Sequence, residues 1–164
     1  MAPNTENTAK MGPWKTLASE YSFRDQWVAV RSDTVLLPNG QTLAPYQTVE
    51  GADSVNIVAL SKQGNIILVE QYRHPVNCSI LEVPAGHVDP GELPLAAAQR
   101  ELLEETGYNG GIWHRLGALF PLASRFSGKV FGFLAVDVVA GVAKHAHGEI
   151  ISVRECLGKR LRIA

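Results

Sequence analysis

Apolar residues come in short runs broken by turn residues, and this rhythm predicts a chain of mostly strands with one strong helix. Trp27 to Leu37 reads WVAVRSDTVLL, rich in β-branched residues. Pro38-Asn39-Gly40 supplies turn chemistry and Gln41 to Val49 resumes an extended pattern, which predicts a hairpin. Val55 to Leu60 and Asn65 to Gln71 predict two more strands, joined by a turn at Lys62-Gln63-Gly64. Their near-continuous apolar character places them centrally, covered on both faces. Ile80 to Val83 is a short apolar piece stopped by Pro84, before a Gly/Pro/Asp-rich loop, Gly86 to Gly91. Leu93 to Thr106 then reads as a helix. Pro94 sits in its first turn, where a missing N–H costs nothing, and Gly107 follows as a C-cap. Leu95, Ala98, Leu102 and Thr106 recur at helical spacing and are expected to face the core. Ile112–Leu119, Val130–Val138 and Ile150–Val153 complete the expected strands. Strands on both sides of a helix imply an α+β or α/β/α arrangement. Periodicity alone does not name the fold.

Length and composition narrow the class. A chain of 164 residues, 46% hydrophobic and 19% charged, suits one domain with a real core. A formal net charge of −1 leaves no basic stripe for DNA or RNA. No apolar run approaches a membrane span, and MAPNTENTAK has no signal-peptide core, so residues 1–13 are expected to be a flexible leader. Cys78 and Cys156 have no metal-ligand spacing, and with nothing pointing to secretion a reducing cytoplasm is expected. Lys159, Arg160 and Arg162 form a basic end that reads as a solvated tail.

The charge that matters is acidic and local. From Gly86 the chain reads HVDPG, Glu92, LPLAAAQ, then Arg100-Glu101-Leu102-Leu103-Glu104-Glu105-Thr106-Gly107-Tyr108. On a helix, Glu101 and Glu105 are i and i+4 and project from one face, with Glu104 beside them. Three carboxylates so close repel one another, and hard, oxygen-preferring cations relieve that repulsion. A Mg²⁺ cluster held there could bridge phosphate oxygens, neutralise developing charge and activate a water. Gly86 lets the loop backbone approach closely. The stretch resembles the Nudix box, G-x5-E-x7-R-E-U-x-E-E-x-G-U, at every fixed position. A chance match of seven such letters is about one in 10⁸ per window. The resemblance implies that Glu101, Glu105 and the Ala85 carbonyl are metal ligands, for Mg²⁺ with Mn²⁺ as a substitute. Glu104 would be shared or one step removed, Arg100 would orient the glutamates, and Glu92 would steady the loop. It also implies the α/β Nudix fold: an α/β/α sandwich with a mixed sheet and an N-terminal β-hairpin.

Residues outside the box suggest the substrate. Glu70-Gln71-Tyr72-Arg73 followed by Leu81-Glu82-Val83-Pro84-Ala85-Gly86 resembles the ADP-ribose pyrophosphatase branch of the family. Arg73 offers a guanidinium fork for phosphate oxygens, and Glu82 could accept hydrogen bonds from a ribose or tune the metal-bound water. Trp27 and Tyr46 align with positions where the family stacks adenine. In relatives these strands cross into a partner subunit, which implies a homodimer with shared sites. The chain is thus expected to divide into N-terminal strands for dimerisation and base binding (14–54) and a catalytic part (55–164). Glu149, in a Gly-Glu segment resembling the family's, is expected to help activate the attacking water. Ser124-Arg125 and Lys129 lie where relatives carry substrate-facing loops. Relatives continue past the last strand into a C-terminal helix, whereas this sequence stops at Ala164. The expected reaction is Mg²⁺-dependent hydrolysis of ADP-ribose to AMP and ribose 5-phosphate. Another nucleotide sugar such as GDP-mannose, or a non-catalytic ADP-ribose-binding module, stands as the alternative.

Overall fold

The structure is a computed structural model that describes residues 12–144 and 150–157. These residues pack as two compact units, one of residues 12–51 with 122–128, the other of 52–121 with 129–144 and 150–157.

The smaller unit is an antiparallel three-stranded sheet in the order β1 (Lys15–Arg24), β2 (Ala29–Leu36), β3 (Thr42–Glu50). The expected hairpin is β2 and β3, turned at Pro38-Asn39-Gly40, where Gly40 has φ +84°. A further strand, β1, precedes it. Trp27 does not belong to β2: the Asp25 carboxylate accepts the N–H groups of Trp27 (2.7 Å) and Val28 (2.8 Å). This side-chain turn competes with strand pairing and delays β2 until Ala29. The middle strand carries a buried charge, Asp33, which accepts from Ser19 Oγ (2.6 Å) and from the Arg31 guanidinium. These hydrogen bonds, Arg31's first, hold Asp33 below the usual carboxylate range. Segment 122–128 joins the unit by backbone bonds: Val49 N–H donates to Arg125 O (2.7 Å) and Ser127 N–H to Val49 O (3.0 Å).

The larger unit is a seven-stranded mixed sheet. Its main path runs β10 (Ser152–Leu157), β5 (Asn65–Arg73), β4 (Ser54–Ser61), β9 (Val130–Val138), β8 (Ile112–Leu119). Two short strands extend it: β6 (Cys78–Glu82) pairs with β5, and β7 (Ala85–His87) pairs with β4. β4 and β9 run parallel, and the other pairings are antiparallel. β4 is central as expected, but among the described residues it is packed mainly on one face. Val55, Ile57, Ala59 and Ser61 are buried while Asn56 is exposed. This is the alternation of a strand with one packed face. The cover is α1 (Pro94–Thr106), the α-helix of the described residues. Ala97, Ala98 and Leu102 pack on Val55, Ile57, Ala59, Ile67, Phe133, Ala135 and Val138. Leu95, expected in this core, is 41% exposed, because the first turn of α1 lies at an apolar rim with Trp113 and Phe131.

The last strand also starts later than its apolar pattern suggested. Ile150 is exposed, and pairing begins at Ser152 opposite Glu70. Its anchor is polar: Glu155 accepts from Ser61 Oγ (3.1 Å) and Asn65 Nδ2 (3.0 Å) at the β4–β5 turn. No helix among the described residues is long and apolar enough to cross a membrane. Cys78 and Cys156 are both free thiols.

Leu102 is fully buried at the centre of the α1–sheet contact. Leu102→Ala is expected to lower unfolding stability by about 2–5 kcal/mol, the range for a buried Leu whose surroundings cannot close the gap. Urea titration followed by circular dichroism measures it, and a loss under about 1 kcal/mol would mean that α1 does not organise this core.

Candidate active site

α1 brings the box together from one side and β7 from the other. The helix starts at Pro94 and ends at Gly107, whose φ of +76° and N–H to Leu103 O (2.9 Å) close the last turn. A side chain at Gly107 would also strike the backbone nitrogen of Ala143 at 2.6 Å, so glycine serves both the cap and the packing of residues 141–143. Lys144 N–H donates to Glu104 O (3.0 Å), continuing that contact.

At the centre of the acidic set lies Arg100. Its Nε and Nη2 grip Glu92 on both carboxylate oxygens (3.1 and 3.0 Å). Nη1 donates to Glu101 (2.8 Å) and Glu104 (3.1 Å), and Nη2 also donates to the His87 carbonyl (2.9 Å). One guanidinium thus ties the loop, β7 and two helix carboxylates into one network. The Glu92 bond, more than any other partner, raises Arg100 above its ordinary pKa. Arg100 in turn holds Glu92 below the usual carboxylate range, so that clamp is complete at neutral pH and is lost only as pH falls through Glu92's lowered value. Glu92 also accepts the Asp89 N–H (3.1 Å), closing the loop on itself.

The two outer glutamates meet the loop backbone directly. Glu105, 5% exposed, accepts the Ala85 N–H at 3.0 Å. A Cβ placed on Gly86 would lie 1.9 Å from Cδ of Glu101. Gly86 is therefore a cradle: only a residue without a side chain lets that carboxylate lie against the strand. Pro84 O accepts the Ile57 N–H (2.9 Å) and fixes the same segment to β4. Ala85, Arg100, Glu101, Glu104 and Glu105 are thus assembled in one place.

The donor set fits a hard divalent cation, being carboxylate and carbonyl oxygen throughout, with the Glu101 carboxylate seated where a side chain on Gly86 would otherwise lie. Among the described residues, no three His, Cys, Asp or Glu side chains already converge in a metal-holding group. Glu101 and Glu104 point to Arg100, and Glu105 points to Ala85.

The other sequence candidates are dispersed. Arg73 and Glu82 pair with each other across β5 and β6, Nε to Oε1 at 2.9 Å and Nη2 to Oε2 at 3.0 Å. In the smaller unit, Trp27 is 70% exposed at the β1–β2 turn. Tyr46, on β3, is already engaged: Arg125 lies 4.4 Å from its ring centre, Trp14 meets it edge-on at 5.4 Å, and its hydroxyl donates to Ser124 O. Nothing local in the sequence pairs Trp14 or Arg125 with Tyr46, so these neighbours come only from the fold. Glu149 lies outside the described residues, as do Lys159, Arg160, Arg162 and the leader through residue 11.

The NUDIX domain model matches residues 51–157, and the model for a nucleoside diphosphate sugar hydrolase N-terminal domain matches residues 14–49. The methanol dehydrogenase activator of Bacillus methanolicus is 44% identical over 57% of this chain and 50% of its own length. An ADP-ribose pyrophosphatase of Bacillus subtilis is 34% identical over 76% of this chain and 66% of its own length. The chain therefore spans about half to two thirds of these curated relatives. A crystal structure of an ADP compounds hydrolase superposes with a TM-score of 0.80, covering 92% of this chain and 81% of that one at 24% identity, which supports the fold. With its acidic helix, its Gly86 cradle and a domain match across residues 51–157, the chain belongs to the Nudix family.

Proposed function

We propose that the protein hydrolyses the diphosphate bond of nucleoside diphosphate sugars, with ADP-ribose as the first candidate, giving AMP and ribose 5-phosphate. The observation that carries the reading is the Gly86 cradle, which seats the Glu101 carboxylate against the loop backbone beside Ala85. The relative named an ADP-ribose pyrophosphatase and the match to a nucleoside diphosphate sugar hydrolase N-terminal domain support the substrate class.

Glu101, Glu105 and the Ala85 carbonyl would hold Mg²⁺, or Mn²⁺ in its place, with Glu104 shared. Bound cations neutralise charge on the diphosphate and lower the pKa of a water. The protein's own contribution is order. Arg100 offsets the repulsion among Glu92, Glu101 and Glu104 and keeps their carboxylates aimed. Glu105 holds the Ala85 N–H and so fixes the backbone at the residue whose carbonyl would join it. Glu149 is the proposed proton acceptor for the attacking water. Arg73, oriented by Glu82, is the proposed phosphate contact. Trp27 and Tyr46 are proposed to take up the base. The exposed Leu17, Phe23 and Leu43 of the smaller unit suit a homodimer. Two free thiols suit a reducing cytoplasm.

The decisive test is a panel of ADP-ribose, other ADP-sugars and GDP-mannose with Mg²⁺, read as phosphate released after phosphatase treatment. ADP-ribose is expected to be turned over fastest. Tight binding of ADP-ribose with no turnover in Mg²⁺ or Mn²⁺ would instead identify a binding module.

Glu105→Gln is expected to lower kcat by about two orders of magnitude or more while the circular dichroism spectrum is retained. Unchanged turnover would remove Glu105 from the metal site.

Gly86→Ala tests the cradle separately. The added methyl must push the Glu101 carboxylate aside, a cheap movement for the fold and a costly one for a ligand. Thermal stability is expected to shift little while the Mg²⁺ concentration for half-maximal activity rises about tenfold or more. Wild-type Mg²⁺ dependence in this variant would show that the cradle is not used.

A further inference from the structure

Arg100 uses every donor it has. A guanidinium carries five N–H groups, one on Nε and two on each Nη. Nε and one N–H of Nη2 hold Glu92 (3.1 and 3.0 Å), and the other N–H of Nη2 holds the His87 carbonyl (2.9 Å). Both N–H groups of Nη1 go to the helix, one to Glu101 (2.8 Å) and one to Glu104 (3.1 Å). The fork is therefore divided. Its Nε–Nη2 edge is fixed to the segment from His87 to Glu92, and its Nη1 end rests on two carboxylates of the proposed metal site.

The two ends are held differently. Glu92 gives both oxygens to the fixed edge, the bidentate arrangement that a planar fork favours. Glu92 is itself tied to the loop by the Asp89 N–H. Glu101 and Glu104 each give one oxygen to Nη1. The helix carboxylates also draw order from elsewhere: Glu101 is seated over Gly86, Glu105 accepts the Ala85 N–H, and α1 sets the spacing of all three. What Nη1 adds there is chiefly positive charge, at the place where a divalent cation would supply it. No N–H of Arg100 can turn to a substrate oxygen unless one of these bonds opens.

We propose that the Nη1 end of Arg100 is a stand-in for the metal: Glu101 and Glu104 leave it when a divalent cation binds, while the Nε–Nη2 edge stays on Glu92 and His87. The proposal rests on the metal site of the hydrolase reading given above. Two cations drawn to the same carboxylates repel each other at a range too short for salt to screen. Arg100, held by the loop, cannot retreat from the incoming charge, so it lowers the affinity of the site for the cation. The acidic helix is thereby kept together without metal, and the metal stays exchangeable. An arginine that served orientation alone would act in the opposite sense, because its removal would weaken metal binding.

The test needs no turnover. Mg²⁺ is titrated into the whole chain, and the side-chain N–H signals of Arg100, identified by their loss in Arg100→Gln, are followed by NMR. Exchange of the Nη1 protons with water is expected to speed up about tenfold or more as the site fills, while that of the Nε proton changes less than about twofold. Calorimetry is expected to show Mg²⁺ binding to Arg100→Gln about three- to tenfold tighter than to wild type. Unchanged Nη1 exchange, or equal or weaker Mg²⁺ binding by the variant, overturns the proposal. If Arg100→Gln does not fold, Arg100→Lys, which keeps the charge without the fork, identifies the signals and the wild-type titration decides alone. Absence of Mg²⁺ binding to wild type overturns both this proposal and the metal site. Release of Nη1 by Mg²⁺ with no turnover of any diphosphate compound supports the exchange and removes the hydrolase reading.

Discussion

The acidic helix is held together by one cation. Arg100 contacts Glu92, Glu101, Glu104 and the His87 carbonyl, groups drawn from a loop, a helix and a strand. Without a counter-charge, carboxylates at this spacing would repel and spread, and the helix that carries them would lose stability. A guanidinium is suited to the task because its planar fork serves several oxygens at once and stays charged at any working pH. The same contacts explain why acidity here is ordered rather than diffuse: each glutamate has a fixed neighbour before any ligand is considered.

That network depends on a precise backbone approach, and the approach depends on packing. Ala97, Ala98 and Leu102 seat α1 on β4 and β9, where small residues allow a close fit. β7 pairs with the other end of β4, so helix and loop share one strand as a common reference. Glu105 then reaches the Ala85 N–H, and Glu101 lies over Gly86. The hydrophobic core thus sets the distance between loop and helix, and hydrogen bonds set the direction of each carboxylate within it. Burial of Glu105 makes its bond to Ala85 worth more than the same bond in water, since an unpaired buried charge is costly.

Much of this was legible in the chain. Turn residues marked β2–β3 and β4–β5, β8 and β9 have the expected bounds, and Pro94 and Gly107 bracket α1. The departures share one cause, which is that local pattern carries no information about neighbours. Leu95 has helical spacing, but its turn lies at a rim. Trp27 begins an apolar run, but Asp25 captures its N–H. β4 and β5 read as continuously apolar, yet β4 is packed mainly on one face. Ile150 is as β-prone as Val153, but pairing starts where Ser152 finds Glu70.

By itself the sequence determined the acidic chemistry, the helix that displays it and the two glycines that bracket it, because spacing along a helix is a property of the chain alone. Only the tertiary structure decided that Gly86 is a cradle for Glu101, that Arg73 and Glu82 hold each other, and that Trp14 and Arg125 flank Tyr46. Each of these joins residues distant in the chain or set by strand register. Their proximity follows from how strands pair and pack, which no local run of residues encodes.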